Sequence, residues 1–282
     1  MRTAVVMGTG LIGTSVALSL SERGVRVHLC DRDPEAVRIA SDRGAGISGW
    51  PEERVDLAIV AVPPSAIAAS LDECRRRNIA FTYTDVGSVK AHPLREMESL
   101  GCDLTDYVGG HPMAGSERSG PHAADKDLFR SASWAVVPNA ASGGRALNHV
   151  LELVSLCGAT PVVMNADEHD AAVALVSHAP YLIAALLAGR LCGAAGQATR
   201  LAGRGVRDVT RVAGSDPLLW SEILRANAAA VADILTQYAG DLQQTVEILR
   251  GLAARGTTES SPAEDELLGL LARGVAGRAE IC

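Results

Sequence analysis

The 282-residue chain carries 26 basic and 33 acidic side chains, a formal charge of −7, so it lacks the electropositive field that gathers phosphate backbones and is not expected to bind nucleic acid. At 48% hydrophobic and 21% charged the composition is that of a globular protein, and aromatics at 3% leave a core to be built from Ala, Val and Leu. Six scattered cysteines form no C-x-x-C pair in a chain too long to need disulfide staples, which points to a reducing cytosol and a cytoplasmic protein.

The N-terminus moves straight into an apolar run and then glycines, with no h-region or cleavage site of an export signal. From residue 3 to about 163, short β-rich runs alternate with amphipathic stretches. The strands are read at Thr3–Met7, Val25–Cys30, Leu57–Val62, Ala80–Asp85, Tyr107–Gly109, Ser133–Pro138 and Thr160–Met164, the helices at Leu11–Arg23, Pro34–Arg43, Ser65–Arg77, Val89–Ser99 and Arg145–Cys157. Strands apolar on both faces and spaced by helices predict an α/β, doubly wound domain over residues 1–165, with a parallel sheet covered on two sides.

After Asn165 the strand pattern stops, and Asp167 and Glu168 suit the first turn of a helix. An Ala- and Leu-rich stretch with helical periodicity follows to about Leu252, broken near Gly203 to Gly205 and at Gly214 and restarted by Ser215, Asp216 and Pro217. This predicts an all-helical domain over 166–253 that has more apolar surface than it can cover alone, and hence a homodimer. Residues 171–189 carry no formal charge apart from His178, but Ser177, His178 and Pro180 at their centre favour a buried helix over a membrane span. From 254 to 282 a mobile tail is expected, with one short helical pattern around Glu264–Arg273.

Gly8, Gly10 and Gly13 form G-x-G-x-x-G between the first strand and the first helix, the arrangement that lets a pyrophosphate rest on a helix N-terminus. Asp31 ends the second strand 18 positions after Gly13. A carboxylate there accepts hydrogen bonds from ribose hydroxyls and repels a 2′-phosphate, which favours NAD over NADP. Asp31 could instead cap the helix beginning near Pro34, and Arg32 beside it could pair a 2′-phosphate. Leu11, Ile12, Arg32 and Val62 complete the expected cofactor surface, and no metal is called for.

A hydride-transferring site needs a group to take a hydroxyl proton and groups to fix the substrate. Three segments offer them: Asp85–Lys90 after a strand, Gly109–Glu117 with a histidine in a glycine-lined loop, and the helical residues Ser177–Tyr181 and Arg207–Trp220. Together D-V-G-S-V-K, G-G-H-P-M-A-G-S-E, D-E-H-D, S-H-x-P and R-D-x-T-R-x-A-x-S-D-P-x-x-W resemble the prephenate and arogenate dehydrogenase family of tyrosine biosynthesis, in the family's order and over residues 4 to about 250.

That resemblance implies a Rossmann domain, a helical dimerisation domain and NAD-dependent oxidative decarboxylation of a small cyclohexadienol such as prephenate. It implies that His111 is the catalytic histidine that accepts the ring 4-hydroxyl proton, with Ser88 as its hydroxyl partner, although Ser88 also reads as a helix N-cap. It implies that Arg211 grips a substrate carboxylate, that His178 positions substrate or cofactor unless it is a core histidine, and that Ser116 and Glu117 line the site, Glu117 as a gate pairing with a nearby arginine. Trp220 matches in position but reads equally as core.

Many members read S-H-L-P-H where this chain has S-H-A-P-Y, so Tyr181 replaces a second histidine at a substrate-binding position. Substrate choice among prephenate, arogenate and 4-amino-4-deoxyprephenate therefore stays open. So does the alternative of another Rossmann and helical-dimer oxidoreductase, or of a dinucleotide-binding regulator.

Overall fold

The computed structural model describes residues 1–193, 196–255 and 262–281, which fall into two compact units, Met1–Val231 and Ala232–Cys282. The first unit opens with β1 (Thr3–Met7), α1 (Leu11–Glu22), β2 (Arg26–Cys30), α2 (Pro34–Asp42), β3 (Ile47–Ser48), β4 (Leu57–Val60), α3 (Ile67–Arg76), β5 (Tyr83–Asp85) and α4 (Ala91–Ser99). The strands form a parallel sheet in the order β3-β2-β1-β4-β5. Alternate residues of the central strands enter two separate cores. Ala4, Val6, Leu57 and Ile59 pack with Val16, Ala17 and Leu20 of α1, while Val5, Ala58 and Val60 pack with Ile67, Ala68 and Leu71 of α3. A sheet buried on both faces is the reason these strands are continuously apolar.

The chain continues through β6 (Val108–Pro112), β7 (Ser133–Pro138), α5 (Gly144–Leu156) and β8 (Thr160–Val163), a second sheet in the order β6-β7-β8. Here the structure departs from an all-parallel sheet, because β6 and β7 are antiparallel while β7 and β8 are parallel. The physical reason lies in the connection: residues 113–132 hold only a one-turn 3₁₀ segment, Pro121–Ala123, and parallel neighbours need a crossover that this loop does not supply. A bridge between Tyr83 and Tyr107 ties the start of β6 to β5. The two-residue β3 has no counterpart in the sequence reading.

The helical part follows as α6 (Ala166–Val173), a π turn at Ala174–His178, α7 (Ala179–Gly189), α8 (Gly196–Arg200), α9 (Arg204–Thr210), a 3₁₀ turn at Arg211–Gly214 and α10 (Pro217–Ala226). Then come α11 (Ala228–Arg255) and α12 (Pro262–Ala279), the latter longer than the helical pattern around Glu264–Arg273. The rest of the expected tail, 256–261, lies outside the described residues, as does Cys282; the five described cysteines are unpaired. By length and composition one described stretch, Ala166–Gly189, could cross a membrane. It is interrupted by the π turn, which is followed in α7 by Pro180 with no N–H to return to it, and it carries the buried polar residues His169, Asp170 and His178.

Where sheet gives way to helix, Asn165 caps α6 in a reciprocal box. Its side chain accepts from the Glu168 backbone N–H at 2.9 Å, and the Glu168 carboxylate accepts from the Asn165 N–H at 3.0 Å. Asp216 similarly caps α10 through the Leu218 N–H at 2.9 Å. Replacing Asn165 with Ala removes one of these orphan-amide partners and is expected to lower the unfolding free energy by about 1 kcal/mol. Urea denaturation should show this as a lower midpoint with an unchanged slope; an unaltered midpoint would mean that the box contributes nothing here.

Candidate active site

The β1–α1 turn builds the first half of the site. Gly8 has φ +103°, and a Cβ on it would stand 2.2 Å from the Ala61 carbonyl oxygen. A Cβ on Gly13 would stand 1.9 Å from the Gly8 carbonyl oxygen, so both positions exclude a side chain. A Cβ on Gly10 would meet nothing within 4 Å, because Gly10 borders open space. That space is a cavity of about 710 Å³ lined by Gly8, Gly10, Asp31, Arg32, Trp50 and Val62, at the carboxyl ends of β1, β2 and β4. This is the switch point at which open α/β sheets take ligands.

Asp31 Oδ2 accepts from the Thr9 N–H at 2.6 Å and its hydroxyl at 3.1 Å, and Oδ1 accepts from the Asp33 N–H at 3.0 Å. The residue that caps α2 is Asp33, through the Glu35 N–H, so the capping role considered for Asp31 belongs to its neighbour but one.

A second cavity of about 540 Å³ shares Gly10, Ala61 and Val62 with the first and is also lined by Leu11 and Ile12. It gathers Ser88 and His111 from the sheet side, Ser116 and Glu117 from the loop after β6, and His178 and Arg211 from the helical part. His111 and Arg211, 100 positions apart in sequence, therefore open onto one space. Trp220 lines it as well. Tyr181 does not: it is 7% exposed and stacks behind Trp220, the rings parallel with centroids 3.7 Å apart.

At the mouth Arg211 Nη1 lies 3.3 Å from Glu117 Oε2, both side chains well exposed. Ser88 has no hydrogen bond to His111 among the described residues.

The partner of His111 is one to which the sequence reading gave no role. His111 Nδ1 lies 2.8 Å from His169 Nε2, and His169 Nδ1 lies 2.7 Å from Asp170 Oδ1. Asp170 Oδ1 also accepts from the Lys90 N–H at 2.8 Å, and Oδ2 from the Ala91 N–H at 3.0 Å, so this carboxylate from α6 closes the N-terminus of α4. Burial opposes its charge, but the donors from His169, Lys90 and Ala91 hold Asp170 below the ordinary carboxylate range. Asn227 Nδ2 donates to the Asp170 carbonyl at 2.7 Å and lies 3.1 Å from His178 Nδ1.

A second buried carboxylate, Asp85, takes the Lys90 ammonium, the Tyr107 hydroxyl at 2.6 Å and the Gly87 N–H at 2.8 Å. His169, Asp170 and Asn227 announce themselves by no local pattern; D-E-H-D was the one available signal for the first two.

Burial is the main reason that His111 resists protonation, with the positive fields of His169, Lys90 and His178 adding to it, and its pKa falls well below the usual 6.5. Burial likewise pushes His178 down to about 4 against the opposing charge of Asp170. Its Nε2 is buried without a hydrogen-bond partner among the described residues.

The model of the prephenate dehydrogenase nucleotide-binding domain matches residues 16–163, and that of the prephenate dehydrogenase dimerization domain matches residues 165–271. The Streptomyces niveus protein named "Probable prephenate dehydrogenase NovF" is 44% identical over 278 residues, 98% of this chain and 76% of that protein. The crystal structure of Aquifex aeolicus prephenate dehydrogenase in complex with hydroxyphenyl propionate and NAD⁺ superposes with a TM-score of 0.86 at 26% identity, over 100% of this chain and 99% of that one. Synechocystis arogenate dehydrogenase superposes with a TM-score of 0.79 at 25% identity, over the whole of both chains.

The depressed histidines have a consequence for stability. The unfolded chain takes up protons below its ordinary histidine pKa of about 6.5, while the folded chain holds His178 neutral down to about 4, so stability falls as pH drops through that window. Between pH 7 and pH 5, His178 alone should cost about 2 kcal/mol, and His111 acts in the same direction. Asp170, depressed from an already low carboxylate value, contributes only below this range. Urea unfolding at the two pH values measures the loss, and His178→Asn should make it smaller. An equal loss in that variant would rule out His178 as the source.

Proposed function

The chain belongs to the prephenate dehydrogenase family, and from that premise we propose that it converts prephenate to 4-hydroxyphenylpyruvate by NAD-dependent oxidative decarboxylation. The observation that carries this reading is the meeting of His111 and Arg211 in one cavity that continues into the glycine-turn cavity. The fit of a dinucleotide rests on the turn itself. Gly8 and Gly13 leave no room for side chains, Gly10 opens the way to the backbone, and the N-terminus of α1 faces the space where a pyrophosphate would lie. Asp31, Arg32, Leu11, Ile12 and Val62 would hold the rest, with Asp31 favouring a free ribose 2′-hydroxyl. When bound, NAD⁺ supplies the hydride acceptor.

The protein's own part is positioning and proton transfer. In the proposed reaction neutral His111 takes the proton of the ring 4-hydroxyl while Arg211, freed from Glu117, holds a substrate carboxylate, and loss of carbon dioxide leaves an aromatic ring. Ser88, Ser116 and His178 line the cavity in which the ring would lie.

The placement of Tyr181 behind Trp220 favours a second reading of substrate choice. The cavity wall has no second imidazole at this position to meet a pyruvyl group, so arogenate, which carries an amino-acid side chain instead, also fits; 4-amino-4-deoxyprephenate keeps the pyruvyl group and differs from prephenate only at the ring 4-substituent. The exposed Leu186 and Leu187 of α7, Leu218 and Leu219 of α10 and Leu201 support a homodimer through the helical part.

The test is steady-state turnover of prephenate, arogenate and the 4-amino analogue, each with NAD⁺ and NADP⁺, following reduced-cofactor absorbance and carbon dioxide release. Prephenate with NAD⁺ should give the highest kcat/KM. His111→Asn should lower kcat about a hundred- to ten-thousand-fold with cofactor affinity little changed. Turnover that survives this substitution intact would remove His111 from the chemistry, and preference for arogenate or the 4-amino analogue would replace prephenate by it.

A further inference from the structure

We propose that Asp170, acting through His169, fixes the tautomer of His111 so that its Nε2 is a bare proton acceptor in the cavity. The proposal rests on the reading of His111 as the base and adds the device that orients it.

The argument is a count of protons along a chain of bonds. Asp170 is 6% exposed, and its two oxygens already accept two backbone N–H groups, from Lys90 and Ala91, so it has the acceptor role throughout. At 2.7 Å from Asp170 Oδ1, His169 Nδ1 must therefore carry a hydrogen. In a neutral His169 ring the other nitrogen, Nε2, is then a lone pair. That lone pair faces His111 Nδ1 at 2.8 Å, and a nitrogen-to-nitrogen bond holds one proton, which must come from His111. His111 is left with a hydrogen on Nδ1 and none on Nε2. Its Nε2 has no hydrogen bond among the described residues and is not sealed from the cavity that His111 lines.

The same residue orients the other imidazole. The Asp170 carbonyl can only accept, so it is bonded by the amide nitrogen of Asn227; that nitrogen also donates to His178 Nδ1, leaving the hydrogen of a neutral His178 on Nε2. One aspartate thus gives two cavity histidines opposite polarity, His111 an acceptor and His178 a donor. The charged and titratable groups around His111 are His169 and Asp170 of α6, His178 of the π turn, and Lys90 before α4, itself neutralised by Asp85.

After His111 takes up a proton, its Nδ1–H still donates to His169 Nε2, and the Asp170 carboxylate lies one hydrogen bond further along. No residue needs to move between the two states. The arrangement positions the base and meets its charge.

The test uses the full-length protein. His169→Gln can present an amide oxygen to His111 and an amide N–H to Asp170, the same order as the neutral imidazole, whereas His169→Leu can present neither. The expected result is that Gln keeps kcat within about tenfold of the parent and Leu loses at least about a hundredfold, with both KM values within about threefold. Asp170→Ala, which leaves His169 Nδ1 with no acceptor and so imposes no order on the chain, should cost about as much as Leu.

Nitrogen-15 NMR of histidine-labelled protein, with His111 identified by its loss in His111→Asn, reads the tautomer directly. Nδ1–H is expected in the parent, and a mixture of the two tautomers in Asp170→Ala. An Nε2–H tautomer in the parent, parental kcat in His169→Leu, or a loss in His169→Gln as deep as in His169→Leu would each overturn the proposal. Should Asp170→Ala not fold, the two His169 variants and the parental spectrum still decide it. The tautomer requires no turnover, so a parent inactive on prephenate would defeat the functional reading while leaving the relay testable.

Discussion

The site depends on a single buried charge. A carboxylate at 6% exposure is costly unless its lone pairs are met, and Asp170 meets them with donors from three places: its neighbour His169 and the backbone N–H groups of Lys90 and Ala91. Those amides belong to the open end of α4, which has no capping side chain of its own. A residue that follows the sheet region in sequence therefore completes a helix inside it. Two hydrogen bonds tie α6 to the start of α4.

Asp85 does for the start of that loop what Asp170 does for its end. It terminates β5, takes the Gly87 N–H and the Tyr107 hydroxyl, and pairs with Lys90, whose own backbone N–H goes to Asp170. The segment Val86–Lys90 is thus held at both ends by buried carboxylates of opposite provenance, one from the sheet and one from α6. Ser88 lies between the two anchors and borders the cavity. On the facing side Gly110 lets β6 come close: a Cβ there would lie 2.9 Å from the Asp85 carbonyl oxygen and 3.0 Å from Trp134 Nε1. The next residue of β6 is His111, which meets His169.

Features that repeat locally were legible in the sequence. Both faces of β1 and β4 are apolar, the glycine turn has a fixed spacing, and the helices around them are amphipathic, so the nucleotide-binding half could be read almost strand by strand. β3 escaped because two residues carry no period. The antiparallel pairing of β6 and β7 was in principle readable, since no helical pattern lies between them, but an alternation rule applied to the whole run hides one missing crossover.

His169, Asp170 and Asn227 escaped for a different reason. Apart from the bond between the neighbours His169 and Asp170, their partners lie 49 to 80 positions away, and nothing in a window around them distinguishes a buried relay from the acidic first turn of a helix. Tyr181 was placed by analogy of position within S-H-x-P. Its ring instead packs behind Trp220, which puts an aromatic wall where a polar contact had been expected.

In the proposed reaction the distribution of charge separates holding from chemistry. The guanidinium assigned to the substrate carboxylate, Arg211, is 60% exposed at the mouth and paired with Glu117, which is 39% exposed. An exposed pair of this kind is worth about 0–1 kcal/mol, so an arriving carboxylate can displace Glu117 at little cost. Deeper in, burial keeps both His111 and His178 from carrying charge near neutral pH, and Lys90 is cancelled by Asp85. A permanent cation at that depth would attract the carboxylate and oppose protonation of the base. With attraction confined to the rim and neutral imidazoles on the floor, a proton can arrive at His111 where no fixed positive charge goes unpaired. The positive charge it creates lies at one end of a short chain whose other end is the Asp170 carboxylate.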